Sequence, residues 1–301
     1  MNKGREQTAR LSLDAQQRKV NQGIIEPGMN RSNFLPTQAR IALVTGASGA
    51  IGSAIAASLA RAYSVYPGSE VVLLGRDEAR LKQTTQLIAA DSGIPAVRYE
   101  IVDLSRKSEI QALTERWQGA LHVLVNNAAA SPRTRLETPE GIEMQLAVNV
   151  LGYFWMTRAF EEILKQSAPA RVINVASYWA GDLDMHDLEF RRRSYHNGIA
   201  YRQSKQANIM LTTAFAWRLA PYGITVNACH PGDVNSRLSN DLGFGGHETA
   251  EQGADTPVWL ATAAEVENVT GKYFENRQLS PSRFLADRAA AEKLYQLCLK
   301  Y

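Results

Sequence analysis

The chain has 301 residues, which fits one large α/β domain or two small ones. Hydrophobic residues make up 45% of it, enough for a substantial core, so a wholly disordered chain is excluded. The formal net charge of +3 at pH 7 is too small for a protein that binds nucleic acid by neutralising phosphates. Residues 1–40 hold seven basic and three acidic side chains, so the remainder carries −1.

The N-terminal segment is polar, has no sustained hydrophobic period and contains Pro27 and Pro36. We predict a flexible or loosely docked arm over 1–39. Cys229 and Cys298 are far apart, which predicts neither a disulfide framework nor a zinc site, and the five histidines are too dispersed to bind a metal. No run approaches the roughly 18 apolar residues of a membrane span. We therefore expect a cytoplasmic protein; the basic arm leaves an organelle transit peptide as the alternative.

From residue 40 onward, short β-branched runs alternate with helical stretches. The runs are apolar on both faces, which is typical of parallel strands covered by helices. They lie at Ile41–Thr45, Val71–Leu74, Val97–Val102, Val123–Val125, Val172–Val175 and Thr225–Cys229. Helices are predicted near 51–64, 78–91, 105–117, 140–165 and 201–220. This order predicts a single-domain Rossmann fold over 40–301, with a doubly wound parallel sheet of about seven strands flanked by helices.

A glycine-rich turn follows the first strand. Gly46, Gly49 and Gly52 are spaced by three and lead into an apolar helix. Such a turn brings the backbone close to a pyrophosphate and points the helix N-terminus at the anion. An ordinary strand–helix turn that needs positive φ is the alternative, but the place after the first strand of a βαβ series favours a dinucleotide. The residues expected to bind it here are Gly46, Ser48, Gly49, Ala50, Ile51 and Gly52.

The end of the second strand bears on which dinucleotide binds. Arg76 stands where a Rossmann fold meets the adenosine ribose, and its planar guanidinium suits a 2′-phosphate, which favours NADP(H) over NAD(H). Asp77 leaves this choice open, because it could bind the ribose if the strand ends one residue later. Arg76 could also be a solvated charge at a strand end. Asp103, after the third strand, is placed to meet the adenine, and a helix cap is its alternative role.

Tyr201 and Lys205 are four positions apart on a predicted helix and therefore share one face. An ammonium group beside a phenol lowers the pKa of the phenol, and a tyrosine tuned in this way can pass a proton to a carbonyl oxygen. Tyr-x-x-x-Lys alone occurs by chance as a surface pair. Here, however, Ser177 follows the fifth strand, Asn149 lies in the long helix, and Asn126-Asn127-Ala128 closes the fourth strand.

Together these motifs resemble the short-chain dehydrogenase/reductase family over about residues 40–235. They occur in the family's order: the glycine turn, Asn126-Asn127-Ala128, Asn149, Ser177, Tyr201 with Lys205, and Pro231-Gly232. The segments at 165–174 and 200–209, with His230-Pro231-Gly232 and Gly271-Lys272-Tyr273-Phe274, look most like the retinol dehydrogenase-like branch. The resemblance thus extends to about residue 275.

The resemblance implies an NADP(H)-dependent oxidoreductase that transfers hydride between a carbonyl compound and an alcohol, such as a carbonyl reductase. Tyr201 would be the general acid/base, and Lys205 would bind the nicotinamide ribose and lower the pKa of Tyr201. Ser177 would hydrogen-bond the substrate oxygen, and Asn149 would hold a water in a proton relay from Lys205. Further cofactor contacts are expected at Asp103, Leu104, Asn127, Ala128, Pro231, Gly232 and Val234.

Three features depart from the family pattern. Gly49-Ala50 moves the middle glycine one place earlier, so we expect weaker or slightly displaced cofactor binding. Ala129 stands where the family usually has glycine and narrows the nicotinamide side. Membrane-bound retinol dehydrogenases often begin with an apolar anchor, whereas this arm is polar, so we do not expect retinoid chemistry at a membrane.

Two segments are expected to shape the substrate site. An insertion over about 178–200 contains Trp179 and other aromatic residues, which favours a small lipophilic or aromatic substrate. Its Arg191-Arg192-Arg193 run could steer an anion, but a solvated loop tip is the alternative. A glycine-rich segment over about 233–256 is predicted to be a lid.

Two other functions remain open from the sequence. The chain could be an NADP(H)-binding regulatory or scaffold protein without turnover that docks partners through its arm. Such a protein, however, has no need for a tyrosine whose pKa is shifted by a neighbouring lysine. A C=C or C=N reductase would use the same residues. The helices at 140–165 and 201–220 are surfaces through which family members pair, so a homodimer or homotetramer is possible, and polar positions on them leave a monomer open.

Overall fold

The computed structural model describes residues 39–92 and 96–301. The arm predicted over 1–39 therefore lies outside the described residues, except for its last residue. In this described part, the strands are β1 Ile41–Thr45, β2 Glu70–Gly75, β3 Val97–Ile101, β4 Val123–Asn126, β5 Ala170–Val175, β6 Ile224–Cys229, β7 Tyr273–Glu275 and β8 Gln278–Leu279.

The α-helices of the same residues are α1 Ala50–Tyr63, α2 Glu78–Ser92, α3 Lys107–Arg116, α4 Gly152–Ala159, α5 Glu161–Gln166, α6 Asn197–Leu219, α7 Arg237–Asp241, α8 Ala250–Thr262 and α9 Arg288–Cys298. A π-helical turn, Leu146–Leu151, precedes α4.

The strands form one sheet in the order β3-β2-β1-β4-β5-β6-β7-β8. Its first seven strands in this order run parallel, and β8 is antiparallel to β7. The predicted doubly wound sheet is confirmed, with β8 as an eighth strand that the sequence did not predict. The turn before β8 has positive φ at Asn276 and Arg277, the backbone shape of a two-residue hairpin. The strand order reverses beside β1, and this is where an open α/β sheet forms a cleft.

Helices cover both faces of the sheet because neighbouring strand residues point to opposite sides. Leu43 points to one face, where it joins a core built with α3, α4, α5, α6 and α9. Ala42 and Val44 point to the other face, towards α1, α2 and α8. The central strands β1, β2, β4, β5 and β6 are buried on both sides, as their apolar sequences predict.

Several predicted elements differ in detail. β3 was expected to be buried, but it is the half-exposed edge of the sheet, where Arg98 and Glu100 form ion pairs. The helix predicted over 140–165 is the π-helical turn followed by α4 and α5, which are separated at Phe160. α6 begins at Asn197 rather than 201, so the predicted insertion ends before 200. Residues 250–256 of the predicted lid belong to α8.

The last helix packs against the pair of helices on which family members were expected to associate. Tyr295 of α9 lies between Phe154 of α4 and Phe215 of α6, with ring centroids 5.0 and 5.3 Å away. Arg218 of α6 also forms a 2.6 Å ion pair with Glu292. The chain therefore covers this face with its own helix.

Candidate active site

The glycine-rich turn joins β1 to α1 in a conformation that only glycine allows at two positions. Gly46 has φ +66°, and a Cβ there would lie 2.7 Å from the Ala128 backbone. A Cβ at Gly52 would lie 2.3 Å from the Gly46 carbonyl oxygen. Gly49 is exposed, and a Cβ there would meet only that same oxygen, at 3.3 Å. The turn is therefore packed tightly at Gly46 and Gly52 and accessible at Gly49. This arrangement fits close approach of a pyrophosphate to the N-terminus of α1.

A cleft of about 560 Å³ opens at this turn. The predicted cofactor residues that line it are Gly46, Ser48, Gly49, Ala50, Ile51, Gly52, Arg76, Asp103, Leu104, Asn127 and Ala128. Tyr201, Pro231, Gly232 and Val234 line an adjacent smaller cavity, together with Ser177 and Trp179. Lys205 lies behind both, fully buried. The structure therefore brings the predicted residues together at the carboxyl ends of the strands. The hydrogen-bond donors among them fit a dinucleotide.

The first residues of α2 distinguish the two candidate ligands of the adenosine ribose. The Asp77 carboxylate accepts the backbone N–H of Arg80 at 3.1 Å and pairs with its guanidinium at 3.4 Å, so Asp77 caps the helix. Arg76 makes no hydrogen bond or ion pair with any residue in the described part of the chain, and its guanidinium lines the cleft. Arg80 lines the same cleft, a second basic group that the sequence analysis missed although it lies one helical turn after Arg76.

Asp103 lies just beyond β3 and has a local role besides lining the cleft. Its carboxylate accepts the N–H and the hydroxyl of Ser105, at 2.9 and 2.8 Å. Arg106, rather than Asp103 or Ser105, is the N-cap residue of α3. Contact with adenine remains a prediction.

Tyr201 and Ser177 meet at the smaller cavity. The Tyr201 hydroxyl lies close to that of Ser177, whose Oγ accepts the N–H of Trp179 at 3.1 Å. The Lys205 amine lies 5.5 Å from the Tyr201 ring centroid and donates to the Val175 carbonyl oxygen at 2.8 Å. The pair predicted from the Tyr-x-x-x-Lys spacing thus lies on one side of α6, at the end of β5.

The electrostatics of this pair differ from the expectation. Burial raises the pKa of Tyr201 well above its usual range, the nearby Ser177 hydroxyl lowers it, and Asp233 and Tyr178 raise it further. Burial lowers the pKa of Lys205 to about 7. The pKa of Tyr201 is therefore raised here rather than lowered as predicted, because loss of solvent disfavours the charged form.

Asn149 lies in the π-helical turn, a rare element that often marks functional sites. Its side-chain oxygen accepts the Ala130 N–H at 2.8 Å, and its amide donates to the Ala130 carbonyl and to Ser204 Oγ at 3.0 and 3.1 Å. The side chain therefore ties the loop after β4 to α6 and does not bond Lys205. Its part in a water relay stays a prediction.

The predicted insertion and lid form the outer wall of the smaller cavity. Tyr178 donates a hydrogen bond to Asp233 at 3.0 Å and lies edge-on to His230, with ring centroids 4.5 Å apart. Trp179 packs against Phe244, with ring centroids 4.6 Å apart. Phe244 was not predicted as a site residue, because nothing in its local sequence indicates this contact across 65 positions of chain.

The arginine run of the insertion lies away from both cavities. Arg191 lies 2.9 Å from Glu189, and Arg193 lies 3.6 Å from the buried Asp187. Arg191 and Arg192 are exposed and none of the three lines either cavity, so the structure favours the solvated loop tip over anion steering.

In the described segments, no helix is long and apolar enough to cross a membrane. Over the same residues, no three His, Cys, Asp or Glu side chains are grouped so that they could hold a metal ion.

Comparisons with known proteins agree with this geometry. The family model for short chain dehydrogenase matches residues 40–243, and the chain belongs to that family of oxidoreductases, which use a nicotinamide cofactor. Mouse retinol dehydrogenase 13 is 34% identical over 276 residues, 84% of this chain and 80% of the relative. A protein of Streptomyces sp. (strain C5), provisionally named daunorubicin C-13 ketoreductase, is 37% identical over 270 residues, 85% of this chain and 90% of the relative.

A solved structure also resembles the chain. The NADP active-site complex of RhlG from Pseudomonas aeruginosa is 27% identical and superposes with a TM-score of 0.63, covering 81% of this chain and 98% of that one. The resemblance of the chain to the retinol dehydrogenase-like branch of the family is confirmed by these relatives.

Proposed function

We propose that this protein interconverts a carbonyl compound and an alcohol with NADP(H), and that Tyr201 is its general acid/base. The proximity of Tyr201 and Ser177, which line the same small cavity, is the observation that carries this proposal. Two neighbouring hydroxyls can bond one substrate oxygen from two directions and fix it for reaction. When bound in the adjoining cleft, the nicotinamide cofactor supplies or accepts the hydride.

Tyr201 stays protonated until it donates its proton to the substrate oxygen. Burial keeps the phenol neutral at physiological pH, so in the reductive direction it can donate to the oxygen that becomes the alcohol. In the oxidative direction the phenolate must form first, which the raised pKa opposes. We therefore propose that alkaline conditions raise the rate of alcohol oxidation.

NADP(H) is the proposed cofactor because of the charges at the adenosine end of the cleft. Asp77 is engaged as the cap of α2, where it also pairs with the Arg80 guanidinium. Arg76 has no partner in the described part of the chain and is available to bind an anion at the cleft. A 2′-phosphate is the part of NADP(H) that the Arg76 guanidinium suits.

A lipophilic or aromatic carbonyl compound is the proposed substrate. Trp179 and Phe244 supply the apolar wall beside Ser177 and Tyr201. The names of the relatives, a retinol dehydrogenase and a daunorubicin ketoreductase, support a bulky unsaturated substrate.

The proposed location is the cytoplasm. The two cysteines are buried and unpaired, which supports a reducing compartment.

The test is consumption of NADPH, with NADH in parallel, on a panel of aldehydes, aromatic ketones, retinal and quinones. Tyr201→Phe should reduce kcat by about 10²- to 10⁴-fold and leave NADPH binding within a few-fold, because it removes the proton donor and keeps the ring. Tyr222→Phe, which alters an exposed tyrosine at the opposite edge of the sheet, is the matched control. Unchanged turnover in Tyr201→Phe would rule out the proposed role.

The same panel separates the other functions. Cinnamaldehyde carries both a C=O and a C=C bond, so cinnamyl alcohol as product supports carbonyl reduction, whereas the saturated aldehyde supports a C=C reductase. Tight NADPH binding without turnover of any panel member would favour the regulatory protein.

A further inference from the structure

The cavity beside Tyr201 and Ser177 is too small for a substrate. Its volume is about 40 Å³, enough for only a few water molecules. Pockets for ligands of ordinary size measure about 300–1,000 Å³. A side chain must therefore leave before a substrate can reach Tyr201.

Phe244 is the apolar side chain lining this cavity that is most exposed to solvent. It packs on Trp179 at 4.6 Å and an interplanar angle of 57°, but 40% of its surface is exposed. Trp179 lies four residues after the end of β5 and its backbone N–H donates to Ser177 Oγ, so the tryptophan belongs to the rigid wall. Of the two rings, Phe244 is the one that can move.

The space around Phe244 leaves room for its ring to move. A Cβ on the neighbouring Gly243 would meet nothing within 4 Å, so this side of the loop is open. The backbone itself is held, because the N–H groups of Phe244 and Gly245 donate to the Ser239 carbonyl at 3.1 and 3.3 Å. The ring therefore moves by rotation about its own side-chain bonds while the backbone stays fixed.

We propose that Phe244 is a gate that occupies, on the face of Trp179, the place of a flat substrate group. The substrate displaces Phe244, and its own aromatic or conjugated group then packs on Trp179 while its carbonyl oxygen meets Ser177 and Tyr201. This inference rests on the proposed function and adds to it the pair of residues that selects for flat substrates.

Benzaldehyde and cyclohexanecarbaldehyde test the gate, because they have equal numbers of carbons and differ in whether the ring is flat. Phe244→Ala should lower KM for both aldehydes by about five-fold, since it abolishes a competing ring contact of about 1 kcal/mol. Trp179→Leu should raise KM about five-fold for benzaldehyde and much less for cyclohexanecarbaldehyde. Tyr222→Ala, which removes an exposed ring far from the site, should change neither.

A binding measurement keeps this test independent of turnover. 2-Naphthol is flat and fluorescent, and its titration should give tighter binding to Phe244→Ala and weaker binding to Trp179→Leu, whether or not any aldehyde reacts. If the wild type reduces no aldehyde but 2-naphthol behaves as stated, the gate stands and the proposed reaction fails. Weaker binding of 2-naphthol and a higher KM in Phe244→Ala would overturn the gate, because Phe244 would then be part of the binding wall.

Discussion

At the scale of single residues, we expect the charge of Arg76 to govern the proposed preference for NADP(H). Arg76→Ala should lower kcat/KM for NADPH roughly ten- to hundredfold, the usual worth of hydrogen bonds to a charged group, and change that for NADH by less than three-fold. Steady-state kinetics with both cofactors measure this. Arg61→Ala, which breaks an exposed ion pair with Asp91, is the control.

Asp77 is the residue that would favour NAD(H) if it bound the adenosine ribose. Asp77→Asn keeps an oxygen that can cap α2, so it should leave the free energy of unfolding and both cofactor preferences nearly unchanged. A large rise in KM for NADH in this variant would instead mean that Asp77 binds the ribose and that Arg76 is a solvated charge.

The pairing of Tyr201 with Lys205 was predictable because their spacing is local, and their environment was not. Tyr201 and Lys205 share a helix, so four positions of sequence are enough to pair them. The opposing pKa directions of Tyr201 and Lys205 come from burial by segments far away in sequence, β5 and the loops that cover them. The same limit applies to Phe244, which meets Trp179 only after folding.

At the scale of elements, the central strands were predictable because they are buried on both faces. The strand β3 was also predicted, but its burial was not, because a strand at the edge of a sheet can be just as β-branched as a buried one. The sequence analysis missed β7 and β8, which are too short to show a period. It also missed α9, although that helix has one apolar face. The break at Phe160 follows from tertiary packing, since Phe160 is fully buried against Trp117.

Packing of α9 gives a prediction for stability. Leu294→Ala removes a fully buried side chain of α9 and should lower the free energy of unfolding by about 2–5 kcal/mol. Urea unfolding measures this, and Leu299→Ala, at an exposed position, should change it by less than about 0.5 kcal/mol. A cost below about 1 kcal/mol for Leu294→Ala would mean that α9 is not part of the cooperative core.

At the scale of the whole molecule, α9 bears on self-association. The helices expected to pair between subunits, α4 and α6, are covered by Tyr295 and the residues around it. We therefore expect a monomer, and sedimentation equilibrium should give a mass near 33.2 kDa with or without NADPH. A dimer would mean that another surface mediates pairing, or that α9 is displaced.

The pH dependence of stability should include one contribution from His122. Its Nδ1 accepts the backbone N–H of Ile41 at 3.0 Å, and burial followed by the charge of Arg40 lowers its pKa. Below about pH 6.5 the unfolded chain binds this proton more readily than the folded one, so stability falls as the pH drops.

The contribution can be isolated with His122→Gln, which keeps an oxygen acceptor and cannot titrate. Between pH 8 and 5.5 the wild type should lose ~0.5 kcal/mol more than this variant, a modest value because the residue is partly exposed to solvent. Urea midpoints at the two pH values provide the comparison. Equal losses would show that His122 is not a source of acid sensitivity.

The two buried thiols can report on local and global unfolding of the protein. Cys298 is the last residue of α9 and Cys229 the last residue of β6, and neither is exposed to solvent. A thiol reagent reaches Cys298 when α9 detaches, whereas Cys229 becomes reactive only when the sheet itself opens. Labelling rates at these two positions would therefore separate local undocking of the helix from global unfolding, without any introduced probe.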